Sequence, residues 1–192
     1  MSITLEKIDY PILIDGMTWR EFKVAEQLLT RPGLRLSFLD GILELRKMPG
    51  RSHETIKGRI GALLELYLEF AGIDFTPTES MTLESEAGLV KREADKSYEL
   101  GRDRDQPDLV IEVVITSGGI DKLNAYQRLQ IPEVWFWENN TLSIYVLRAD
   151  RYDAIRQSTL LPNLDLGAFT SCIRMDSHTQ ALREFRQTLG LM

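Results

Sequence analysis

The chain has 192 residues, 43% of them hydrophobic and 27% charged, with a formal net charge of −6 at pH 7. This length suits one domain with a full hydrophobic core, which we place over residues 1–192, and the acidic balance argues against a protein that coats nucleic acid through phosphate contacts alone. No apolar run approaches the ~20 residues of a membrane helix, and the one cysteine, Cys172, excludes an internal disulfide, so we expect a cytoplasmic protein without a membrane span.

Helical and strand patterns alternate through the first hundred residues. A capping-box pair, Thr18 and Glu21, begins a helix of about three turns, and a longer amphipathic helix starts at His53 with Ser52 as its N-cap. An Asp-Gly pair at 40–41 predicts a hairpin between two of the strands. Strands are predicted at 34–38, 42–47, 73–76, 80–84 and 91–100, the last of which carries Asp95.

The segment 107–137 is the part around which the rest of the chain is organised. It begins with an apolar run at 109–115, typical of a strand buried on both faces, and a turn is predicted at 117–119. A short helix at 121–130 and a second strand at 133–138 follow. Further strands at 141–147 and 151–157 and a helix at 181–189 predict an α/β protein with a mixed sheet.

Glu112 stands in the middle of the first of these strands, with apolar neighbours on both sides in the sequence. An unpaired carboxylate there would cost several kcal/mol or be forced to protonate, so it needs a cation. Lys122 is the nearest candidate, and a structural ion pair between the two is one explanation. A bound metal ion is the other, and carboxylates suit a hard cation, whereas one cysteine and two histidines argue against zinc.

In their order and spacing, these pieces resemble the PD-(D/E)xK nuclease superfamily, and most of all its Uma-type branch of restriction endonucleases. The resemblance covers about residues 30–150 and implies a restriction-endonuclease-like core, a mixed β-sheet flanked by helices. It also implies metal-dependent hydrolysis of phosphodiester bonds in nucleic acid, with DNA as the first expectation. The matching pieces are Asp40-Gly41, Leu43-Glu44, Ser52-His53-Glu54, Glu93-Ala94-Asp95, the run from Pro107 to Val113, Lys122 with Tyr126, and the run from Pro132 to Trp135.

By this resemblance, Asp95, Glu112 and Lys122 are the catalytic residues. Asp95 and Glu112, with the backbone carbonyl of Val113, would hold Mg²⁺, or Mn²⁺ in its place, and Lys122 would orient the attacking water. The chain departs from the superfamily pattern at two positions. Ala94 replaces the usual proline, and Val114 stands where the usual lysine would be, so Lys122 would supply the ammonium from the next helix.

Asp108 belongs to the one literal Pro-Asp pair and shares a strand face with Glu112. Four residues along a strand separate their Cα atoms by about 13 Å, which is too far for one metal ion. We therefore interpret Asp108 as a supporting residue at the start of the strand. Glu44 and His53 are supporting candidates as a further carboxylate and an imidazole. The cations near them predict phosphate contacts to nucleic acid: Arg46, Lys47 and Arg51.

Two alternatives to a nuclease stay open. One is a nuclease-fold module that has lost catalysis and serves as an interaction or regulatory protein. The other is a small-molecule-binding α/β domain with a structural pair of Glu112 and Lys122. Nicking that depends on a divalent metal separates the nuclease from both.

The aromatic group Trp135, Phe136 and Trp137 favours core and edge packing. It also offers more apolar surface than one short strand needs, and a duplex substrate would suit two opposed sites. Both points lead us to expect a homodimer.

Overall fold

The computed structural model describes residues 10–102, 104–115 and 119–191. Within these ranges the helices are α1 (Trp19–Leu29), α2 (Arg51–Phe70), α3 (Lys122–Arg128), α4 (Leu166–Ile173) and α5 (His178–Thr188). The strands are β1 (Ile12–Ile14), β2 (Leu34–Leu39), β3 (Ile42–Lys47), β4 (Phe75–Pro77), β5 (Thr82–Ser85), β6 (Val90–Glu93), β7 (Lys96–Leu100), β8 (Leu109–Val114), β9 (Glu133–Glu138), β10 (Thr141–Arg148) and β11 (Arg151–Ile155).

These strands divide into two sheets. One has five strands in the order β1-β3-β2-β6-β5, and the other has six in the order β11-β10-β9-β8-β7-β4. The larger sheet is mixed, because β8 and β9 run parallel while its other pairs are antiparallel. The α/β class with a mixed sheet is confirmed, and the smaller antiparallel sheet is an addition that the sequence did not predict.

The chain crosses from one sheet to the other at Ala94 and Asp95. β6 ends at Glu93 and pairs with β2 and β5, whereas β7 begins at Lys96 and pairs with β4 and β8. The prediction of one continuous strand over 91–100 is therefore wrong. Asp95 lies at the junction between the two sheets.

Apolar side chains cover both faces of the larger sheet. Leu109, Ile111 and Val113 pack on one face in a cluster that includes residues of α2, α4 and α5. Val110 faces the other way, against Ala125 and the rest of the α3 side. The predicted alternation of this strand is confirmed, and it directs Glu112 toward the α3 side with Val110.

The aromatic group on β9 belongs to the interior of the chain. Trp135 and Trp137 are 0% and 1% exposed in the cluster beside α2, α4 and α5, and Phe136 packs against the opposite cluster. The core-packing interpretation is confirmed. The argument from aromatic surface for a homodimer is wrong, because folding already covers the two tryptophans.

Two helix starts were predicted from capping patterns, with different outcomes. Thr18 forms the capping box with Glu21 as predicted. α2 begins at Arg51 behind Gly50 as its N-cap, so the prediction of Ser52 as the N-cap is wrong. Of the turn predicted at 117–119, positions 117 and 118 lie outside the described residues. No helix in the ranges that the structure covers is long and apolar enough to cross a membrane.

Candidate active site

A cavity of about 270 Å³ lies where the two sheets and the first turn of α2 meet. Asp95, Glu112 and Lys122 all line it, and so does Val113. The antiparallel register of β7 and β8 pairs Lys96 with Ile111, which brings the next pair, Asp95 and Glu112, to the same end of the two strands. The sheet junction therefore gathers residues from distant segments of the chain.

Glu112 is 1% exposed and is surrounded by donors. Arg92 approaches it with two nitrogens, Nε at 3.1 Å from Oε1 and Nη2 at 3.2 Å from Oε2. The Lys122 ammonium lies 2.7 Å from Oε2, and the Tyr126 hydroxyl donates to Oε1. Burial alone would raise the pKa of Glu112, but the charges of Arg92 and Lys122 outweigh it and hold the pKa below its ordinary value.

Lys122 and Tyr126 reach the same carboxylate because they are four residues apart on α3 and so share one face of that helix. The N-cap of the helix is Asp121, whose side chain accepts from the Asn124 amide. This cap sets the start of the helix beside the end of β8. Local helix geometry therefore accounts for two of the three side chains on Glu112.

Asp95 is 3% exposed and bridges three segments. Its Oδ1 accepts from Arg35 at 2.8 Å, and its Oδ2 contacts His53 Nε2 at 3.0 Å and accepts from the Val113 amide at 2.9 Å. Burial opposes ionisation of Asp95, yet the hydrogen bonds and charges of His53 and Arg35 dominate and lower its pKa. For His53, burial alone would lower the pKa, but Asp95 and then Glu54 raise it above the ordinary value.

Glu44 lies behind Arg92 and is 1% exposed. Its Oε1 accepts from Arg46 Nε at 2.8 Å. Its other oxygen, Oε2, has no hydrogen-bond partner among the described residues, and Arg92 Nη1 is 4.0 Å away. A buried oxygen that accepts no hydrogen bond destabilises the fold. Glu44 Oε2 is such an acceptor among the described residues.

The remaining predicted residues divide into those at the cavity and those away from it. Arg46, Lys47 and His53 line the cavity. Asp108 lies outside it, where it accepts from the Leu100 amide at 2.8 Å, in agreement with a role at the start of the strand. Arg51 is exposed at the first residue of α2 and lines a different hollow, and its predicted contact with phosphate stays a prediction.

Three residues that contact the acidic pair were missed from the sequence: Arg35, Arg92 and Tyr126. Arg35 stands between two leucines in Leu34-Arg35-Leu36, and a lone arginine in an apolar strand pattern is a signal of a buried ion pair. Tyr126 is part of the family resemblance, but its contact with Glu112 was not predicted, although its spacing from Lys122 places both on one helix face. Arg92 has no comparable local signal, because its partner lies in the other sheet.

The donor chemistry of the cavity fits a hard cation. Asp95 and Glu112 offer carboxylate oxygens beside the backbone of Val113, and Glu44 Oε2, behind Arg92, is a buried acceptor without a hydrogen-bond partner among the described residues. In the part of the chain that the structure describes, no three His, Cys, Asp or Glu side chains group closely enough to form a metal site. A shared cation between Asp95 and Glu112 stays a prediction.

Comparisons with known proteins identify the fold and the family of the chain. A crystal structure from Anabaena variabilis, described as "a putative nuclease belonging to DUF820", matches with a TM-score of 0.54 at 14% identity, over 88% of this chain and 99% of that one. At this identity the likeness shows the fold. No curated protein matches the chain. The sequence profile of the Uma2 family, described as "Putative restriction endonuclease", matches residues 19–172. The chain therefore belongs to the Uma2 family.

Proposed function

We propose that this protein is an endonuclease that hydrolyses phosphodiester bonds of DNA with Mg²⁺, for which Mn²⁺ can substitute. The observation that carries the proposal is the convergence of Asp95, Glu112 and Lys122 on one cavity at the junction of the sheets. Family membership supports a nuclease in general terms. The acidic pair with a lysine supports the finer assignment of the reaction.

Asp95 and Glu112, with the backbone carbonyl of Val113, are the residues that would hold the metal ion. When bound, such an ion would lower the pKa of a water molecule, so that its deprotonated form is available to attack phosphorus. It would also neutralise charge on the phosphate. Lys122 supplies a donor, since its ammonium already lies 2.7 Å from Glu112 and reaches the same cavity. It would orient the attacking water or stabilise negative charge in the transition state.

The other residues of the cavity bind and position. His53 is held by Asp95, which raises the pKa of the imidazole and so favours its charged form, the form that would attract a phosphate. Arg46 and Lys47 line the cavity on the β3 side and would contact phosphate oxygens. A local basic rim of this kind is needed, because the net charge of −6 repels DNA from the molecule as a whole.

A regulatory module without catalysis is the second candidate. The observation that favours it is the complete occupation of Glu112, whose two oxygens receive Arg92, Lys122 and Tyr126. As long as all three donors stay in place, this carboxylate serves as an internal ion pair. The two candidates differ in whether a divalent ion can take over part of that pairing.

Nicking of supercoiled plasmid DNA tests the proposal directly. We expect cleavage by the wild type with Mg²⁺ or Mn²⁺ and none with EDTA. Asp95→Asn, Glu112→Gln and Lys122→Met should each reduce the rate by about 100-fold or more, since each removes a group that acts on the reacting phosphate. Asp153→Asn, a half-exposed carboxylate on β11, is the charge-matched control and should cut like the wild type.

Three results would refute the nuclease. They are no cleavage by a folded wild type under any divalent ion, cleavage that EDTA leaves intact, or full activity in Asp95→Asn and Glu112→Gln. The first of them would favour the regulatory module.

We further propose that the protein is a cytoplasmic homodimer. The single cysteine suits a reducing compartment. Two sites related by a two-fold axis would meet the two strands of a duplex, which are themselves related by such an axis. With the tryptophans buried, the duplex symmetry is the argument that supports the dimer.

A further inference from the structure

Arg92 lies between two buried carboxylates, Glu112 and Glu44, and forms hydrogen bonds with Glu112 but not with Glu44. The guanidinium makes two hydrogen bonds to Glu112, at 3.1 and 3.2 Å, while its third nitrogen, Nη1, stops 4.0 Å from Glu44 Oε2. That distance is too long for a hydrogen bond. One buried oxygen is therefore left without a donor next to a nitrogen that could serve it.

Arg92 therefore has a second possible partner, Glu44, close to its present partner Glu112. Glu112 is also held by Lys122 and Tyr126, so it stays paired when Arg92 leaves. Glu44 Oε2 has no hydrogen-bond partner among the residues in the described ranges, so it gains one when Arg92 arrives. A small movement of the Arg92 side chain would thus transfer its hydrogen bonds from Glu112, which keeps other donors, to Glu44 Oε2, which has none among the described residues.

The charge balance gives a reason for this exchange. With Arg92 and Lys122 in place, a divalent ion at Glu112 would stand against two fixed positive charges in a buried site, where repulsion is strong. A lone pair on Glu112 also becomes available only when one of its donors departs. Arg92 is the donor that has another acceptor within 4.0 Å, so it can leave without becoming an unpaired buried charge.

We propose that Arg92 is a positioning residue that holds Glu112 in the metal-free protein and moves to Glu44 when a divalent ion binds. The proposal rests on the metal site of the proposed function and adds to it a role for two residues of the smaller sheet. Arg92 lowers the affinity for the ion, and Glu44 restores part of it by receiving the guanidinium. The Tyr126 ring, with its centroid 5.6 Å from the guanidinium carbon, keeps Arg92 within this region in both positions.

The affinity for Mn²⁺, measured by isothermal titration calorimetry on the full chain without DNA, tests the exchange. Arg92→Gln should bind Mn²⁺ about tenfold or more tightly than the wild type, because the competing charge is gone. Glu44→Gln should bind about tenfold more weakly, because Arg92 loses the negative charge of its second acceptor. Lys57→Gln removes a positive charge from α2 outside the cavity and should leave the affinity unchanged.

The double variant Arg92→Gln/Glu44→Gln identifies the role of Glu44. If Glu44 acts by receiving Arg92, then Glu44→Gln has little effect once Arg92 is glutamine. An equal loss in both backgrounds would make Glu44 a direct ligand and overturn the exchange. Circular dichroism checks the fold, and Arg92→Lys serves if Arg92→Gln does not fold, since a single ammonium holds Glu112 less tightly and should also raise the affinity.

The results separate this proposal from the nuclease itself. A wild type that binds Mn²⁺ and cuts DNA, together with Arg92 variants that bind no more tightly, would refute the exchange and leave the nuclease standing. Absence of Mn²⁺ binding in every folded variant would refute both. Tighter binding in Arg92→Gln, with Glu44→Gln silent in that background, is the result that the exchange requires.

Discussion

Glu112 and Glu133 are two buried carboxylates in the same sheet that are stabilised in different ways. Glu133 is 0% exposed and accepts from Trp135 Nε1 at 2.7 Å, from Ser158 Oγ at 2.6 Å and from the Thr159 amide at 2.9 Å. These donors are neutral and come from neighbouring segments. Glu112 is held by two cations, Arg92 and Lys122, an arrangement that occurs both in functional sites and in structural ion pairs.

The two cations on Glu112 should contribute unequally to stability. Arg92→Met removes a buried partner with two hydrogen bonds, leaves Lys122 and Tyr126 on the carboxylate and should lower the free energy of unfolding by about 3 kcal/mol. Lys122→Met leaves Arg92 and Tyr126 on the carboxylate and should lower it by less. Chemical denaturation of the metal-free proteins measures both. Equal losses, or a larger loss for Lys122→Met, would show that Lys122 is the main structural partner.

The hydrogen bond between His53 and Asp95 predicts a pH dependence. Because the folded-state pKa of His53 is raised, its contribution is fully present below about pH 6.5 and is lost as the pH rises through the folded pKa. For Asp95, whose folded-state pKa is lowered, the contribution is present above the ordinary value of 3.8 and is lost as the pH falls through the folded pKa. The fold should be most stable between these limits as far as this pair is concerned.

An NMR titration of the imidazole signals measures the pKa of His53 directly. The wild type should show His53 titrating above about pH 6.5, and Asp95→Asn should lower the pKa of His53, because burial is then opposed by Glu54 alone. The chain has two histidines, so His178→Gln assigns the signals. A His53 pKa at or below the ordinary value in the wild type would contradict the geometry.

The helix α1 provides a prediction at the scale of one element. The Thr18 side chain accepts from the Glu21 amide at 3.2 Å, and Glu21 Oε2 accepts from the Thr18 amide at 2.8 Å. Thr18→Ala removes one of these bonds and should lower the free energy of unfolding by about 1 kcal/mol. Thr18→Ser keeps the hydroxyl and is the control. If both variants melt at the temperature of the wild type, the cap does not stabilise the domain.

The division between β6 and β7 shows where element prediction failed. Residues 91–100 are mostly charged or polar, and nothing within them indicates that two sheets share the segment. The break at Ala94 and Asp95 arises because β6 finds its partners in β2 and β5 and β7 finds its partners in β4 and β8. Strand pairing is a long-range property, so a local pattern predicts that a strand exists but not the sheet to which it belongs.

At the scale of the whole molecule, the homodimer is open to a simple measurement. Size-exclusion chromatography with light scattering should give twice the chain mass of 22.0 kDa. A concentration series is the control, since a dimer of moderate affinity dissociates on dilution. A mass of one chain at the highest concentration, with and without a DNA duplex, would contradict the prediction. The single-domain organisation likewise stays a prediction.

The sequence by itself determined the α/β class, the alternation of β8 and the need of Glu112 for a cation, because each follows from periodicity and burial within a few neighbouring residues. It also determined the family, through the order of short motifs. Only the tertiary structure revealed the second cation on Glu112, Arg92, beside the Lys122 that the sequence predicted. Arg92 comes from a strand of the other sheet, 20 residues earlier in the chain. Such a contact depends on how two sheets pack against each other, and no local pattern in the sequence encodes that packing.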